Sequence, residues 1–404
     1  MPNAMKSIWP ALGAALALSW YFVLPFERIP TLEYHGFTLK VSYIIGVLLL
    51  IWGVLNLNWL GRIKLSLSDK LLVLFGLIAT LSTITGYVEP RNAIVLALWW
   101  LMIALYLLAS RMDLGRVAIN ALLISTAIVA TFGLYQFIGD SLGLTTSLTG
   151  LRDEYARQVL GFPRIQSVAL EPLYFSNFLL VPLFIALGRS SQAKKILNPH
   201  WWLSVLILTN IILGQSRGAY LGLVAALITL AAYLIWCGGR RQLARFALTV
   251  AAAIIISVGL VALNGREVLT NSFTKHAFAQ DATNQGSVGG RIDGYRQAFE
   301  YFKGRPLLGQ GPGSFGTLAK TDDSTNYQIA NNIYLEVLAE TGILGFIAFL
   351  GFLVLLTIES WRAYRVGKDA TRQTILYLGL GLVAVLIQYN FFSTLYIIYI
   401  WAFL

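Results

Sequence analysis

Residues 201–235 read WWLSVLILTNIILGQSRGAYLGLVAALITLAAYLI. Two apolar runs, Trp201–Leu213 and Ala219–Ile235, meet across Gly214-Gln215-Ser216-Arg217-Gly218, which leaves room only for a tight hairpin. A helix needs about 20 mostly apolar residues to cross a bilayer, with a range of about 17 to 25. The pair therefore reads as two membrane helices that turn around at headgroup level. Ten further runs of similar character flank it: Trp9–Leu24, Val41–Leu60, Leu71–Tyr87, Ala93–Ala109, Val117–Phe137, Leu173–Leu187, Ala244–Leu263, Ile343–Ile358, Ile375–Tyr389 and Phe391–Leu404. The pattern predicts an all-α polytopic membrane protein with about twelve transmembrane helices. The first run is followed by Pro25, Glu27 and Arg28 rather than by a small-residue cleavage site, so it is expected to be a retained helix.

Composition agrees. Of 404 residues, 57% are hydrophobic and 12% charged, about half the charge of an ordinary soluble chain, and the mean hydropathy is +0.69. So few charges could not cover an aqueous surface, which excludes a soluble enzyme. The net charge of +11 is a topology signal, because Lys and Arg in short loops stay on the cytoplasmic side. With the amino terminus inside, sixteen bases face that side against Asp69, Asp113, Glu359 and Asp369, which gives +12; the opposite side sums to −1. No nucleic-acid partner is needed to explain the basic balance. One cysteine, Cys237, and three histidines, His35, His200 and His276, offer neither a disulfide nor a recognisable metal cluster.

The spans divide the chain. Residues 1–263 hold the first nine, with a smaller polar segment at 138–172; residues 264–341 form one large loop; residues 342–404 hold the last three. Both polar segments fall on the outer side. Long connections are uncommon unless they bind or catalyse, so the chemistry is expected there. Arg217 stands in a short outer hairpin, against the orientation bias. Its planar fork suits either a snorkelling anchor or a bound anion, above all a phosphate.

In the large loop, Ile292, Tyr295, Phe299 and Phe302 recur at intervals of three and four. They predict an amphipathic helix lying on the membrane or on the bundle, with Arg291 at its start and Arg296 one turn on. A cation at a helix start is mildly costly unless an anion or acid is near. The turn Pro306–Gly313 lacks the order of a phosphate loop and reads as backbone accommodation. Asn331 or Asn332 is a plausible N-cap for a helix through Leu335 and Thr341, whose unpaired backbone donors could hold an anion. Glu336 and Glu340 lie one turn apart on it, suited to a proton relay, to acid–base work or to ion pairs with Arg217 and Arg291. In the smaller segment, Arg164 and Glu171 flank the entrance to a helix that Pro172 starts; they suit the same outer cavity or an ordinary ion pair. His276 reads as a solvated side chain.

Together these motifs resemble the O-antigen ligase and Wzy-type O-antigen polymerase superfamily of bacterial inner-membrane proteins. The resemblance is carried by Ser216-Arg217-Gly218, by Arg291 with its amphipathic helix and the Pro306–Gly313 turn, and by Asn332-Ile333-Tyr334-Leu335 leading to Glu340-Thr341-Gly342-Ile343-Leu344-Gly345. It implies a GT-C-like glycosyltransferase, independent of metal and cofactor, that works on the periplasmic face. The donor would be a glycan on undecaprenyl pyrophosphate and the acceptor a lipid-linked repeat unit or lipid A-core, with a chain-length regulator as a further partner. Arg217 and Arg291 correspond to arginines that hold the donor pyrophosphate. Arg164, Arg296, Asn331 and Asn332 complete the candidate substrate contacts, and Glu171, Glu336 or Glu340 would supply a base. Ligases place a histidine before the Asn-x-x-Leu element, where this chain has Asn331, and an amide cannot serve as a base near neutral pH. The expectation is thus a polymerase, with a ligase as the alternative. A lipid-linked oligosaccharide flippase is the rival of a different class, disfavoured because the ionisable residues cluster outside the spans rather than at the bilayer midplane.

Overall fold

A computed structural model of the chain describes residues 3–30, 32–34, 37–56, 64–87, 89–112, 114–265, 287–319, 328–393 and 395–404. The longer helices are α1 (Asn3–Val23), α2 (Val41–Leu55), α3 (Leu67–Thr85), α4 (Pro90–Ala109), α5 (Gly115–Ser141), α6 (Pro172–Gln192), α7 (Pro199–Gly214), α8 (Arg217–Trp236), α9 (Arg240–Ala262), α10 (Ser287–Gly304), α11 (Ile333–Val366) and α12 (Asp369–Gln388), followed by a short α13 (Ile398–Phe403). A two-stranded antiparallel hairpin, β1 (Leu32–Tyr34) with β2 (Phe37–Leu39), joins α1 to α2 and pairs Leu32 with Leu39. Among the described residues, eight helices are long and apolar enough to cross a membrane: α3, α4, α5, α6, α8, α9, α11 and α12; α1, α2 and α7 carry shorter apolar stretches. In lipid every backbone polar group must be satisfied within the segment, so a chain this apolar folds as helices.

Contacts run in a closed circuit, α1–α2–α4–α3–α11–α12–α6–α7–α5 and back to α1, with α8 and α9 packed outside it. Small residues let the backbones approach where lipid supplies no hydrophobic drive between helices. A Cβ on Gly222 of α8 would stand 2.2 Å from the Ala384 carbonyl oxygen, and one on Gly381 of α12 would stand 2.9 Å from Val181 Cα of α6.

The expected twelfth span, Phe391–Leu404, is not a spanning helix. Only Ile398–Phe403 is helical beyond a single turn at Tyr389–Phe391, and six residues rise about 9 Å. Phe392, Leu395, Ile397, Tyr399, Trp401 and Phe403 are all buried in the main core. Tyr43 donates to the Tyr396 carbonyl (3.0 Å), and Tyr399 donates to Asn177 Oδ1 (3.0 Å). The segment is apolar all round because protein, not lipid, surrounds it.

The two ends of the bundle differ in chemistry. At one, Arg111 pairs with Asp69 (2.7 Å), Ser68 donates to Glu359 (2.7 Å), and Arg245 donates to the Ser190 and Ser191 carbonyls (both 3.1 Å). This is the end on which the sequence places the basic loops. At the other end lie residues 142–171 and the described parts of the 264–341 loop. Gly342, with φ +62° and ψ −170°, breaks α11 between them. The Pro306–Gly313 turn clasps the break: Gln310 and Gly311 N–H donate to the Ala339 and Glu340 carbonyls (3.0 and 2.8 Å), while Ile343 and Leu344 N–H donate to the Pro306 and Leu307 carbonyls (2.8 and 3.3 Å). Groups orphaned by the kink are thus satisfied by the turn, and the turn anchors α10 to α11.

Candidate active site

Arg217 is the first residue of α8, held there because Gln215 adopts φ +49° to close the hairpin and the Ser216 hydroxyl accepts from Ala219 N–H (3.4 Å). Arg164 reaches the same hairpin from the other polar segment. Its Nε donates to the Gly214 carbonyl (3.0 Å) and its Nη2 to the Gln215 carbonyl (3.3 Å), so it caps the end of α7. The loop carrying it is fixed inside the bundle: Ser167 N–H donates to Gln136 Oε1 (2.7 Å), and Ser167 Oγ donates to the Val129 carbonyl (2.6 Å).

Arg291, in the second turn of α10, completes a group of three cations. Burial lowers the pKa of Arg291, nearby Tyr295 opposes that, and the charge of Arg217 lowers it further. Burial likewise lowers Arg164, against the pull of Tyr155 and Glu171, and Arg217 again adds repulsion. Arg217 therefore stands within electrostatic reach of both. Neither Arg217 nor Arg291 makes a side-chain hydrogen bond or ion pair among the described residues. Arg217 also lies at a helix start, where the backbone dipole is positive. Three cations in this group face Glu171 beside Arg164, an excess of positive charge of the kind that suits an anion.

Tyr295 lines the same region, donating to the Asn390 carbonyl (2.6 Å). A polar cavity of about 440 Å³ opens beside it, lined by Arg291, Asp293, Gly294, Gln297 and Asn331 among others. Of the expected stripe on α10, Ile292 and Phe299 are exposed, and the helix packs on the bundle instead through Gly294 and Ala298. A Cβ on Gly294 would stand 3.2 Å from the Ala330 carbonyl oxygen. Arg296 is turned to solvent and pairs with Asp293 at 3.6 Å.

Glu171 is the N-cap residue of α6, but its side chain caps nothing. Burial raises its pKa above the usual carboxylate range, Arg152 and Arg164 oppose this, and Glu27 adds to it. Glu27 is itself buried, paired with Lys40 at 2.5 Å, and accepts from Leu170 N–H (3.3 Å), which ties the β-hairpin to the loop entering α6.

Asn332 caps α11, its side-chain oxygen accepting from Tyr334 N–H (3.0 Å) and Leu335 N–H (3.1 Å). Those donors are therefore not available to an external anion, contrary to the expectation of a free helix start. Asn331 adopts φ +54° and its amide donates to the Ile329 carbonyl (3.3 Å). Glu336 and Glu340 line a small space with Arg91, Gly313 and Tyr396, which shares Gln328 and Ile329 with the cavity at Arg291. Glu340 accepts from Phe315 N–H (3.2 Å) and Glu336 from Ala330 N–H (3.4 Å). Both are nearly fully buried. His35, His276 and Arg62 lie outside the described residues.

Sequence reasoning did not single out Tyr295 as a site residue, nor Asn390, which it left between the last two spans, nor Ser393, which it placed in the last span. Ser393 Oγ accepts from Asn332 N–H (3.0 Å). The interruption of Tyr389-Asn390-Phe391-Phe392-Ser393 by two polar residues was the available signal.

The fold defines an all-α, multi-pass membrane protein with arginines grouped at one end of its bundle. Residues 202–350 match the family described as Wzy_C, O-antigen ligase, and the match supports the O-antigen ligase and Wzy superfamily for that segment. The match runs from α7 into α11, which brings Arg217, Arg291, Asn331 and the glycine clasp inside it. No curated protein matches the chain. That match supports a glycosyl-transferring function of the O-antigen ligase and polymerase type.

Proposed function

We propose that Arg217 and Arg291 hold the pyrophosphate of an undecaprenyl-pyrophosphate-linked glycan while its sugar is passed to an acceptor on the periplasmic face of the bacterial inner membrane. The observation that carries this is the convergence of Arg217 with Arg291 and Arg164. In the reaction the acceptor oxygen bonds to the anomeric carbon, the bond from that carbon to phosphate breaks, and undecaprenyl pyrophosphate leaves. Charge builds on the leaving pyrophosphate, so arginines fixed in advance lower the barrier electrostatically. Positioning of two large glycans in the cavity beside Arg291 supplies the remainder. Arg164 positions the hairpin that presents Arg217, and Asn332 with Ser393 positions the start of α11.

Glu171 is the acid we assign to receive the acceptor proton. It keeps its carboxylate free of capping, lies in the field of Arg164, and burial raises its pKa, the direction a carboxylate base needs. Glu336 and Glu340 hold backbone N–H groups of the clasp region instead. The mechanism is independent of metal and GT-C-like in architecture.

The acceptor we assign is a second lipid-linked repeat unit, which makes the protein a Wzy-type polymerase, because Asn331 stands where ligases have a histidine. Transfer to lipid A-core is the second reading, favoured by the ligase description of the matching family. Purified protein in nanodiscs, given an undecaprenyl-pyrophosphate repeat unit with and without lipid A-core, separates them. A ladder on the carrier alone establishes a polymerase, and product only with lipid A-core establishes a ligase. Arg217→Ala and Arg291→Ala should each lose at least about a hundredfold in transfer while still inserting normally. Unchanged product in both would sink the pyrophosphate assignment, and inhibition by chelators would overturn the metal-independent mechanism.

A further inference from the structure

At the basic end of the bundle, far along the same helices from the arginine site, α8, α11 and α12 leave an apolar groove of about 460 Å³. Leu353, Leu380 and Leu386 are among its walls. It follows α12 from Ile375 to Leu386, a rise of roughly 17 Å at about 1.5 Å per residue. That is about half the roughly 30 Å hydrocarbon core, the depth of one leaflet.

The groove's outer end has the chemistry of a headgroup level. Tyr233 and Tyr364 hydrogen-bond across it at 3.0 Å, and the Trp361 ring stacks on Tyr364 with centroids 5.3 Å apart. Such aromatic side chains collect where hydrocarbon meets water. Arg372 lies over the Tyr364 ring, 5.0 Å from its centroid. Arg362 and Arg365 at the end of α11 and Lys368 before α12 are all exposed, and Asp369, the first residue of α12, is the acid among them. Glu359, one turn earlier, is engaged by Ser68. An apolar slot one leaflet deep, with exposed bases at its mouth, matches one kind of molecule in charge and in length.

We propose that this groove binds one anionic glycerophospholipid of the adjacent leaflet, an acyl chain lying along α12 and the phosphate held by Arg372 and its neighbouring bases. The site is separate from the arginine group and needs no part of the transfer reaction.

Gly379 provides the test. It lines the groove, and a Cβ built on it meets nothing within 4 Å, so Gly379→Leu starts in open space, carries its side chain into the slot and improves helix propensity. Protein in nanodiscs of equal phosphatidylglycerol and phosphatidylcholine is released into native mass spectrometry, and the lipids that remain bound are counted. Wild type should retain one phosphatidylglycerol in preference to phosphatidylcholine. Arg372→Gln should cut that preference by about fivefold, the effect of one base near anionic headgroups. Gly379→Leu should abolish retention of both lipids while glycan transfer continues. Equal retention of the two lipids by wild type would overturn the proposal, as would phosphatidylglycerol retained undiminished by Gly379→Leu. Loss of transfer in Gly379→Leu together with loss of bound polyprenyl phosphate would assign the groove to the donor's tail and refute the phospholipid.

Discussion

Replacing Gly342 by alanine tests whether the kink in α11 is held by the clasp. At φ +62° and ψ −170° the residue occupies a region that is essentially glycine-only, and a side chain there costs about 1–3 kcal/mol. The added Cβ would also stand 2.4 Å from the Leu307 carbonyl carbon and oxygen, so the turn must retreat. Its retreat breaks the bonds from Ile343 and Leu344 N–H to the Pro306 and Leu307 carbonyls, worth about 0.5–1.5 kcal/mol each. The sum is about 2–6 kcal/mol, well beyond the roughly 0.5 kcal/mol of an ordinary surface change. Gly259→Ala in α9 is the matched control, since a Cβ there meets nothing within 4 Å and the change favours helix by about 0.8–1 kcal/mol. Thermal unfolding of both variants in one detergent should give a strongly lowered midpoint for Gly342→Ala and an equal or raised one for Gly259→Ala. Limited proteolysis across residues 300–313 should speed up in the first alone, because the clasp also anchors α10. If the two variants unfold together at the wild-type midpoint, the kink is not held by these contacts and the reasoning fails.

Other consequences are open to simpler tests. Arg291→Lys keeps the charge but loses the planar fork, so transfer should fall in the nanodisc assay; full activity would mean that charge alone suffices. Glu171 has a raised pKa in the folded state, so its contribution to stability is fully present below the unfolded value near 4.5 and is lost as pH rises through the folded value. Glu171→Gln should therefore gain stability relative to wild type on going from pH 4 to pH 7, and should remove the acid limb of the transfer rate; an unaltered pH–rate profile would discard Glu171 as the base. Glu340→Ala leaves the buried Phe315 N–H without its acceptor, at a cost of about 1–3 kcal/mol. Its transfer per folded molecule should stay near wild type, and a hundredfold loss at unchanged stability would restore Glu340 as a catalytic candidate.

Most of the helices were legible along the chain, because a span is a local property: a run of apolar residues of bilayer length has one way to satisfy its backbone. The charge asymmetry between the two ends was equally legible, and so were Arg217 and Arg291, each a cation where a cation is unfavourable. The N-cap at Asn332 could be narrowed to two residues, since Asn331 and Asn332 carry the same side chain and differ in the positive φ that only the folded chain assigns.

What the chain alone left undecided was which apolar surface meets lipid and which meets protein. Lipid tails are as apolar as leucine, so the composition of Phe391–Leu404 suits a span and a buried plug equally well. Its fate is decided by the cavity that α2, α4, α6 and α12 leave for it. The same ambiguity left open whether Ile292 and Phe299 face the membrane or the bundle; both are exposed, and Gly294 and Ala298 pack on the bundle. The candidate acids were undecided for a related reason. Glu171, Glu336 and Glu340 are chemically alike, and only the tertiary structure sets one beside Arg164 with its carboxylate uncommitted and encloses the others against backbone N–H groups. Sequence thus determined the apolar helices and singled out the two arginines as candidates, while convergence of charges from segments more than fifty residues apart is a property that only packing can create.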